Sequence, residues 1–442
     1  MDLFEYINSL SLFGTESGYN PGLDRVKRLL YHLGNPHHNL NIIHLAGTNG
    51  KGSTAAILER IYREAGFKTA LYSSPHYFHF NERIKINGRA CSSYDLTEIM
   101  VEVKKATAKL KAENYLEQSF FEIVTAAAFK YFKMHEAEIV ILETGLGGRL
   151  DATNVVKNPL ISIITNISLE HRKILGDNPA QIAAEKAGII KENSKVITAV
   201  KQAEALKVIK NRALEKKSKF IELKEEYEFI KSSGDLKENI ISLKRSGREV
   251  ENYNLSLLGG HQALNTAIAL RAVEELNPNF PVNKKDIETA LKNIYWPGRM
   301  EKISEKPLVI LDAAHNQSAF KELAKNINNS SLEFKNLHLI FSILKDKDVD
   351  SILEEFLKLK DQLKFYLAEN QSFRSIKIND LERKISSKNF EYQTFNNLAE
   401  ASSKALENAD EDDLIIAAGS FNTTFEAGIE IMTKKLEVDN NE

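Results

Sequence analysis

One stretch of this chain concentrates residues able to handle phosphate: Gly47-Thr-Asn-Gly-Lys-Gly-Ser-Thr54 sets a lysine and the hydroxyls of Ser53 and Thr54 in a glycine-rich turn. The apolar run Ile42–Ala46 precedes it. Ile57, Leu58, Ile61, Tyr62 and Ala65 follow at helical spacing, and Gly66 closes the helix. Successive backbone N–H groups in such a turn, opening a helix, form a nest for phosphate oxygens. Lys51 then reaches the terminal phosphates, and Ser53 a metal ion bound to them. The spacing departs from the common phosphate loop (P-loop), because Gly52 stands where a hydroxyl residue belongs. A rival fit, Gly50-x-Gly52-x-x-Ala55, is a dinucleotide fingerprint that wants an acidic residue about 20 positions on. The next strand instead runs into Ser74-Pro75-His76, which favours a nucleoside triphosphate.

Further chemistry-bearing residues fall where strands should end. Glu143 closes an apolar strand and precedes Thr144-Gly-Leu-Gly-Gly-Arg149, well placed to hold Mg²⁺ directly or through water. Glu170 and His171 follow the strand ending near Thr165, although an isolated histidine more often packs than ligates. Asn178 and Pro179 open a mostly apolar helix that carries Glu185-Lys186. Such a pair is commonly an exposed edge; the other reading turns Lys186 inward, where desolvation and modification become possible. Arg299 and Leu311-Asp-Ala-Ala-His-Asn316 flank the start of a second strand–helix series. With Asp312 and His315 facing the first domain, they would make an interdomain cleft; the spacing alone weighs equally for Arg299 as a solvated linker arginine.

The elements that must position these residues read as α/β. Residues 1–41 are predicted helical, with a turn around Gly18–Gly22. Strands are expected over Ile42–Ala46, Thr69–Ser73, Ile139–Glu143, Leu160–Thr165 and Lys195–Ala199, with helices such as Ser93–Glu113 and Phe121–Met134 between them. That alternation implies a parallel sheet covered on both faces, with ligand beyond the carboxyl ends of its strands. Runs at Phe220–Leu223, Tyr227–Ile230, Ile240–Lys244 and Tyr253–Leu257 suggest a small antiparallel sheet, followed by a helix near Gln262–Glu275. Tyr295-Trp-Pro-Gly-Arg299 marks a boundary. Beyond it, strands at Leu308–Leu311, Leu337–Ile343, Lys364–Leu367 and Leu414–Ala418, with helices near 317–328, 349–360 and 396–408, predict a smaller doubly wound, Rossmann-like domain. The expected domains are 1–296, a P-loop parallel-sheet domain bearing the antiparallel sheet, and 297–442. The tail 437–442 is expected to fray.

Composition sets bounds. With 442 residues the chain exceeds what one core serves. Hydrophobic residues at 43% and charged residues at 27% describe an ordinary globular protein. A net charge of −2 gives no electrostatic case for nucleic acid or anionic membrane. The single Cys91 excludes a disulfide framework and a cysteine metal cluster, and fits a reducing cytoplasm. Met1-Asp-Leu-Phe-Glu5 has no basic start or apolar signal core, and no run is long enough to span a bilayer. A cytoplasmic monomer is expected.

At these residues the chain resembles folylpolyglutamate synthase, including the bifunctional dihydrofolate synthase form of bacteria, within the Mur ligase superfamily. The resemblance runs in order through Gly47–Thr54, Tyr72-Ser-Ser-Pro-His76, Phe80-Asn-Glu-Arg83, Glu143-Thr-Gly-Leu-Gly-Gly-Arg-Leu-Asp-Ala-Thr-Asn154, Glu185-Lys-Ala-Gly188, Gly260-His-Gln262 with Asn265, Trp296-Pro-Gly-Arg299 and Asp312–Asn316. It implies that Thr48, Asn49, Gly50, Lys51, Gly52, Ser53 and Thr54 bind ATP together with Asn265, Arg299 and Asp312, Arg299 near the γ-phosphate. It implies that Ser74, Glu143 and His171 surround Mg²⁺, and that Lys186 carries an N-carbamate supporting a second Mg²⁺. His315 would lie where the incoming amino acid reacts, and Arg83, Asp151 and Asn154 would meet the folate. Three residues depart from the family pattern: Glu170 for Asp, Gln317 for Pro and Ala313 for Gly.

The implied reaction is ATP-driven amide formation. A folate or dihydropteroate carboxylate takes the γ-phosphoryl group, and the amine of L-glutamate displaces phosphate from the acyl phosphate. Lys51, Arg299 and Mg²⁺ would offset charge on the transferring group, with Lys51, Lys186 and His315 as the catalytic set. Two rivals are a peptidoglycan-precursor Mur ligase and a regulatory ATPase without ligase activity. The first usually carries a UDP-sugar-binding domain ahead of its phosphate loop, whereas 46 residues precede Gly47.

Overall fold

In the computed structural model, which describes residues 22–115, 117–234 and 236–439, a helix at Asp24–His32 leads into the first sheet. The expected helices before residue 22, the turn at Gly18 and residues 440–442 lie outside the described residues, while the tail expected to fray from 437 continues the helix Phe421–Asp439. The sheet is built from β1 (Ile42–Ala46), β2 (Thr69–Tyr72), β3 (Ile84–Ile86), β4 (Arg89–Ala90), β5 (Ile139–Glu143), β6 (Ile161–Ile164), β7 (Lys195–Thr198) and β8 (Lys219–Glu222). Its order is β4-β3-β2-β5-β1-β6-β7-β8. The six strands from β2 to β8 run parallel, and β3 and β4 turn back antiparallel at one edge.

All five residues of β1 and of β5 are buried, as a strand covered on both faces requires. Helices at Ser93–Ala112 and Phe120–Met134 pack with Asp24–His32 over one face, around Leu29, Ile99, Phe129 and Phe132. Ile182, Val196 and Ile209 anchor a second cluster under the helices Pro179–Ala187 and Ala203–Glu215. Register brings the chemistry to one edge. Leu45 pairs with Glu143, Ala46 with Ile164, and Tyr72 with Leu142, so the loops after β1, β2, β5 and β6 leave the sheet together.

The run expected at Phe220–Leu223 belongs to this sheet and not to the small antiparallel one. The helix Ala203–Glu215 is a crossover that returns the chain parallel to β7. The small antiparallel sheet holds β9 (Tyr227–Gly234), β10 (Asn239–Arg245) and β11 (Val250–Asn254) in the order β11-β10-β9. The helix Gln262–Leu276 follows.

By contact the chain divides into two compact units. One comprises the residues to Ile230 with Leu243–Val250 and Leu264–Leu291; the other comprises Lys231–Ser242, Glu251–Ala263 and Lys292 onward. The second unit contains β12 (Glu301–Glu305), β13 (Leu308–Asp312), β14 (Leu337–Phe341), β15 (Leu363–Leu367), β16 (Glu391–Thr394) and β17 (Leu414–Ala418), in the order β12-β13-β17-β14-β15-β16. Only β12 is antiparallel. The polar edge strands β12 and β16 have no apolar run to betray them, and the 349–360 helix is a short helix, Val349–Glu355, followed by a 3₁₀ turn. No helix among the described residues is long and apolar enough to cross a membrane.

Phe320 is fully buried in this second core, with Phe341 and Phe356 edge-on to it at 5.7 and 5.8 Å between ring centroids. Phe320→Ala is expected to destabilise the unit by about 3–5 kcal/mol, read from urea unfolding. A loss below about 1 kcal/mol would contradict this packing.

Candidate active site

The turn after β1 is fixed almost entirely by the strand beside it. Gly47 has φ +154°, and a Cβ there would collide with the Thr165 hydroxyl at the end of β6. That hydroxyl donates to the Asn49 carbonyl at 2.7 Å, and the Asn166 side-chain oxygen accepts from the Asn49 N–H at 2.8 Å. Thr48 donates its N–H to the Asn166 carbonyl, and its hydroxyl exchanges hydrogen bonds with the backbone of Ser168. Gly50, at φ +84°, caps the helix Lys51–Glu64, and its bare Cα leaves room for the Asn265 amide. The helix has no side-chain N-cap, so its first-turn N–H groups point into the turn. Ser53 and Thr54 are buried there.

Two lysines converge on this turn. Lys51 Nζ donates to the carbonyls of Gly47 at 2.8 Å and Thr48 at 3.1 Å, which leaves the third ammonium hydrogen for an external oxygen. Lys186 Nζ donates to the same Gly47 carbonyl at 2.8 Å and to Glu170 Oε1 at 2.7 Å. Lys186 thus takes the inward of its two possible orientations and is 1% exposed. Burial pulls its ammonium down to about 8 against the opposing pull of Glu170. Burial pushes the Glu170 carboxyl up, but Lys186 and Lys51 outweigh it and hold the group at about 2. Glu185, the other half of the pair, faces outward to Arg149 at 2.9 Å.

Glu143 is buried at the end of β5, and the Ser74 N–H lies 3.3 Å from its Oε2. His171 is exposed, in the left-handed region at φ +44°. Among the described residues no group of three His, Cys, Asp or Glu side chains could hold a metal unaided. The oxygen donors present suit Mg²⁺, which keeps several waters and commonly binds through one or two carboxylates plus phosphate. Glu143, with the Ser74 backbone beside it, is a carboxylate of that kind.

The glycine-rich loop after Glu143 folds around Asp151. Its Oδ2 accepts from the N–H groups of Gly145 and Leu146 at 2.9 Å each, and its Oδ1 from the N–H and hydroxyl of Thr153. The Asn154 amide donates to the carbonyls of Arg149 and Gly188. Arg83 is buried, donating from Nε to His76 Nδ1 at 2.9 Å, with its guanidinium over the Phe120 ring.

In the second unit Asp312 ends β13 buried, accepting from the N–H groups of Met300 and Ala314. Burial raises its carboxyl, with Arg299 opposing. Arg299 lies over the Phe421 ring at 4.7 Å, and His315 Nδ1 is 2.9 Å from the Ala313 carbonyl. Asn316 caps the helix Gln317–Asn328, its side chain accepting from the Ala319 N–H, with Gln317 at the first helical position. The residues missed from the sequence are Thr165, Asn166 and Thr153. The first two carry a usable signal, because they follow a strand that a parallel sheet sets beside β1.

Two family models match: the Mur ligase middle domain over residues 45–273, and the Mur ligase glutamate ligase domain over 298–421. The chain is 37% identical to a dihydrofolate synthase/folylpolyglutamate synthase of Bacillus subtilis (strain 168), over 79% of this chain and 81% of that one. It is 31% identical to one from Buchnera aphidicola subsp. Baizongia pistaciae (strain Bp), over 96% and 94%. Among solved structures, E. coli FolC in complex with DHPP and ADP superposes with a TM-score of 0.84 at 28% identity, covering 98% of this chain and 97% of that one. Mycobacterium tuberculosis folylpolyglutamate synthase complexed with ADP and AMPPCP gives 0.85 at 28%, over 92% and 95%.

Glu170→Gln leaves the buried Lys186 charge unmatched and is expected to cost about 3–5 kcal/mol at neutral pH. The folded Glu170 titrates below its ordinary 4.5, so the stability it contributes is complete above that pH and is lost as pH falls toward about 2. Acid titration of unfolding should therefore be shallower in the variant across this window; identical acid limbs would contradict the pairing.

Proposed function

This chain belongs to the dihydrofolate synthase/folylpolyglutamate synthase family of Mur ligases and is an ATP-dependent ligase that adds L-glutamate to a folate; on that premise we propose how its residues divide the work. The nucleotide is gripped by residues 48–54, with the triphosphate on the N–H groups that open the helix Lys51–Glu64 and the spare hydrogen of Lys51 on a terminal phosphate oxygen. The observation that carries this reading is the locked turn at Gly47, where two lysines and the end of β6 fix the backbone before any phosphate arrives. Asn265, Arg299 and Asp312 read the same nucleotide.

A free carboxylate only exchanges a proton with an amine, so the acceptor must first become an acyl phosphate. Lys51 and Arg299 offset the charge that builds on the γ-phosphoryl group as the acceptor carboxylate attacks it. Glu143 would hold Mg²⁺ with Ser53, Ser74 and, at the margin, His171; bound there, the ion neutralises phosphate charge. Lys186 is the proposed carbamylation site. Its amine, at about 8, is partly neutral near physiological pH, the form able to capture carbon dioxide, and the resulting anionic group would support a second Mg²⁺. His315 orients the incoming L-glutamate. Arg83, Asp151 and Asn154 define the acceptor side, which we propose takes both dihydropteroate and reduced folate.

A regulatory ATPase would release phosphate without either co-substrate. Purified protein given ATP, Mg²⁺ and glutamate should release phosphate only when dihydropteroate or tetrahydrofolate is added, in separate reactions. Lys51→Ala and Glu143→Ala should each lower turnover by at least ~100-fold while melting as the parent does. Near-normal turnover in either would overturn the assignment.

A further inference from the structure

The strand that delivers the phosphate loop carries at its centre a histidine that none of the chemistry above uses. His44 is fully buried in β1, level with Leu142 on β5 and Ser162 on β6. Its Nε2 lies 2.9 Å from the Thr153 hydroxyl, which lies 2.5 Å from Asp151 Oδ1. Burial raises the Asp151 carboxyl, against the hydrogen bonds from Thr153, Leu146 and Gly145, but both its oxygens accept from N–H groups, so the one hydroxyl hydrogen of Thr153 goes to Asp151 and the hydroxyl oxygen accepts from His44. Nε2 therefore carries the imidazole proton and Nδ1 is bare; Nδ1 is buried with no hydrogen-bond partner among the described residues. Burial, with Lys191 adding to it, keeps the ring neutral, down at about 3.

Asp151 in turn has all its acceptor directions filled by Gly145, Leu146 and Thr153. Its carboxylate shapes the loop from within. We propose that His44 and Thr153 are positioning residues for the acceptor: through Asp151 they hold the backbone of Gly145 and Leu146 in the form that receives the folate. The chain of contacts ties the loop after β5 to the same strand that, three residues later, opens the phosphate turn. This rests on the assignment of the 144–154 loop to the acceptor.

The test uses the full-length protein and the acceptor it turns over, dihydropteroate or tetrahydrofolate. Thr153→Val and His44→Leu should raise the acceptor KM about tenfold, the worth of a hydrogen bond to a charged group, with the ATP KM within about twofold of the parent. Thr153→Ser and His44→Gln, which restore a hydroxyl and an N–H donor, should recover most of the loss. In a long-range proton–nitrogen NMR spectrum, the imidazole absent from His44→Gln should be the neutral, Nε2-protonated form. An Nδ1-protonated ring, or an equal rise in both KM values, overturns the proposal. If His44→Leu does not fold, Thr153→Val decides, since it keeps the side-chain shape. Should Asp151→Ala raise the acceptor KM while the Thr153 and His44 variants do not, the relay falls and the loop assignment stands. Should none of them move it, both fall.

Discussion

The Gly47 carbonyl accepts hydrogen bonds from two ammonium groups, Lys51 and Lys186, and that shared oxygen is the pivot of the site. Bringing two cations to one buried turn is costly unless an anion lies within reach. Glu170 supplies that anion from the segment after β6, and the two lysines hold it ionised below the usual carboxylate range against its burial. The backbone of the turn is therefore under electrostatic as well as steric control. Gly47 must be glycine because the Thr165 hydroxyl occupies the space of a Cβ, and Thr165, Asn166 and Ser168 then fix the next two residues by hydrogen bonds.

Preorganisation of this kind suits a reaction in which the protein does little covalent chemistry. Phosphoryl transfer to a carboxylate is accelerated mainly by holding the partners in line and by offsetting charge that is already present. A rigid nest of N–H groups pays no reorganisation cost when the transferring phosphoryl group develops its charge. Glu170 reaches Lys186 at 2.7 Å and closes the ion pair that holds this lysine inside the turn.

Much of this was legible before any coordinates. β1, β5 and β17 match their expected bounds because each is an uninterrupted apolar run, the pattern a doubly covered strand imposes. Lys186 was legible in principle: Ile182, Ala183, Lys186 and Ala187 form the buried face of one helix, and only the lysine's charge argues against reading it so. Other features were hidden. The edge strands β12 and β16 are polar and find their place only through a neighbour. β8 looks like part of the small sheet until the crossover helix before it is counted. The links from Thr165 and Asn166 to the phosphate turn span more than 110 positions, and no local pattern encodes such a contact.

The most direct test of the central claim is a crystal structure of this protein with a non-hydrolysable ATP analogue and Mg²⁺. The β- and γ-phosphate oxygens should lie within hydrogen-bonding distance of the N–H groups of residues 50–53, with Lys51 Nζ on a phosphate oxygen and the Gly47 turn unmoved. Phosphates bound elsewhere, or a turn that must refold to receive them, would contradict a preformed grip.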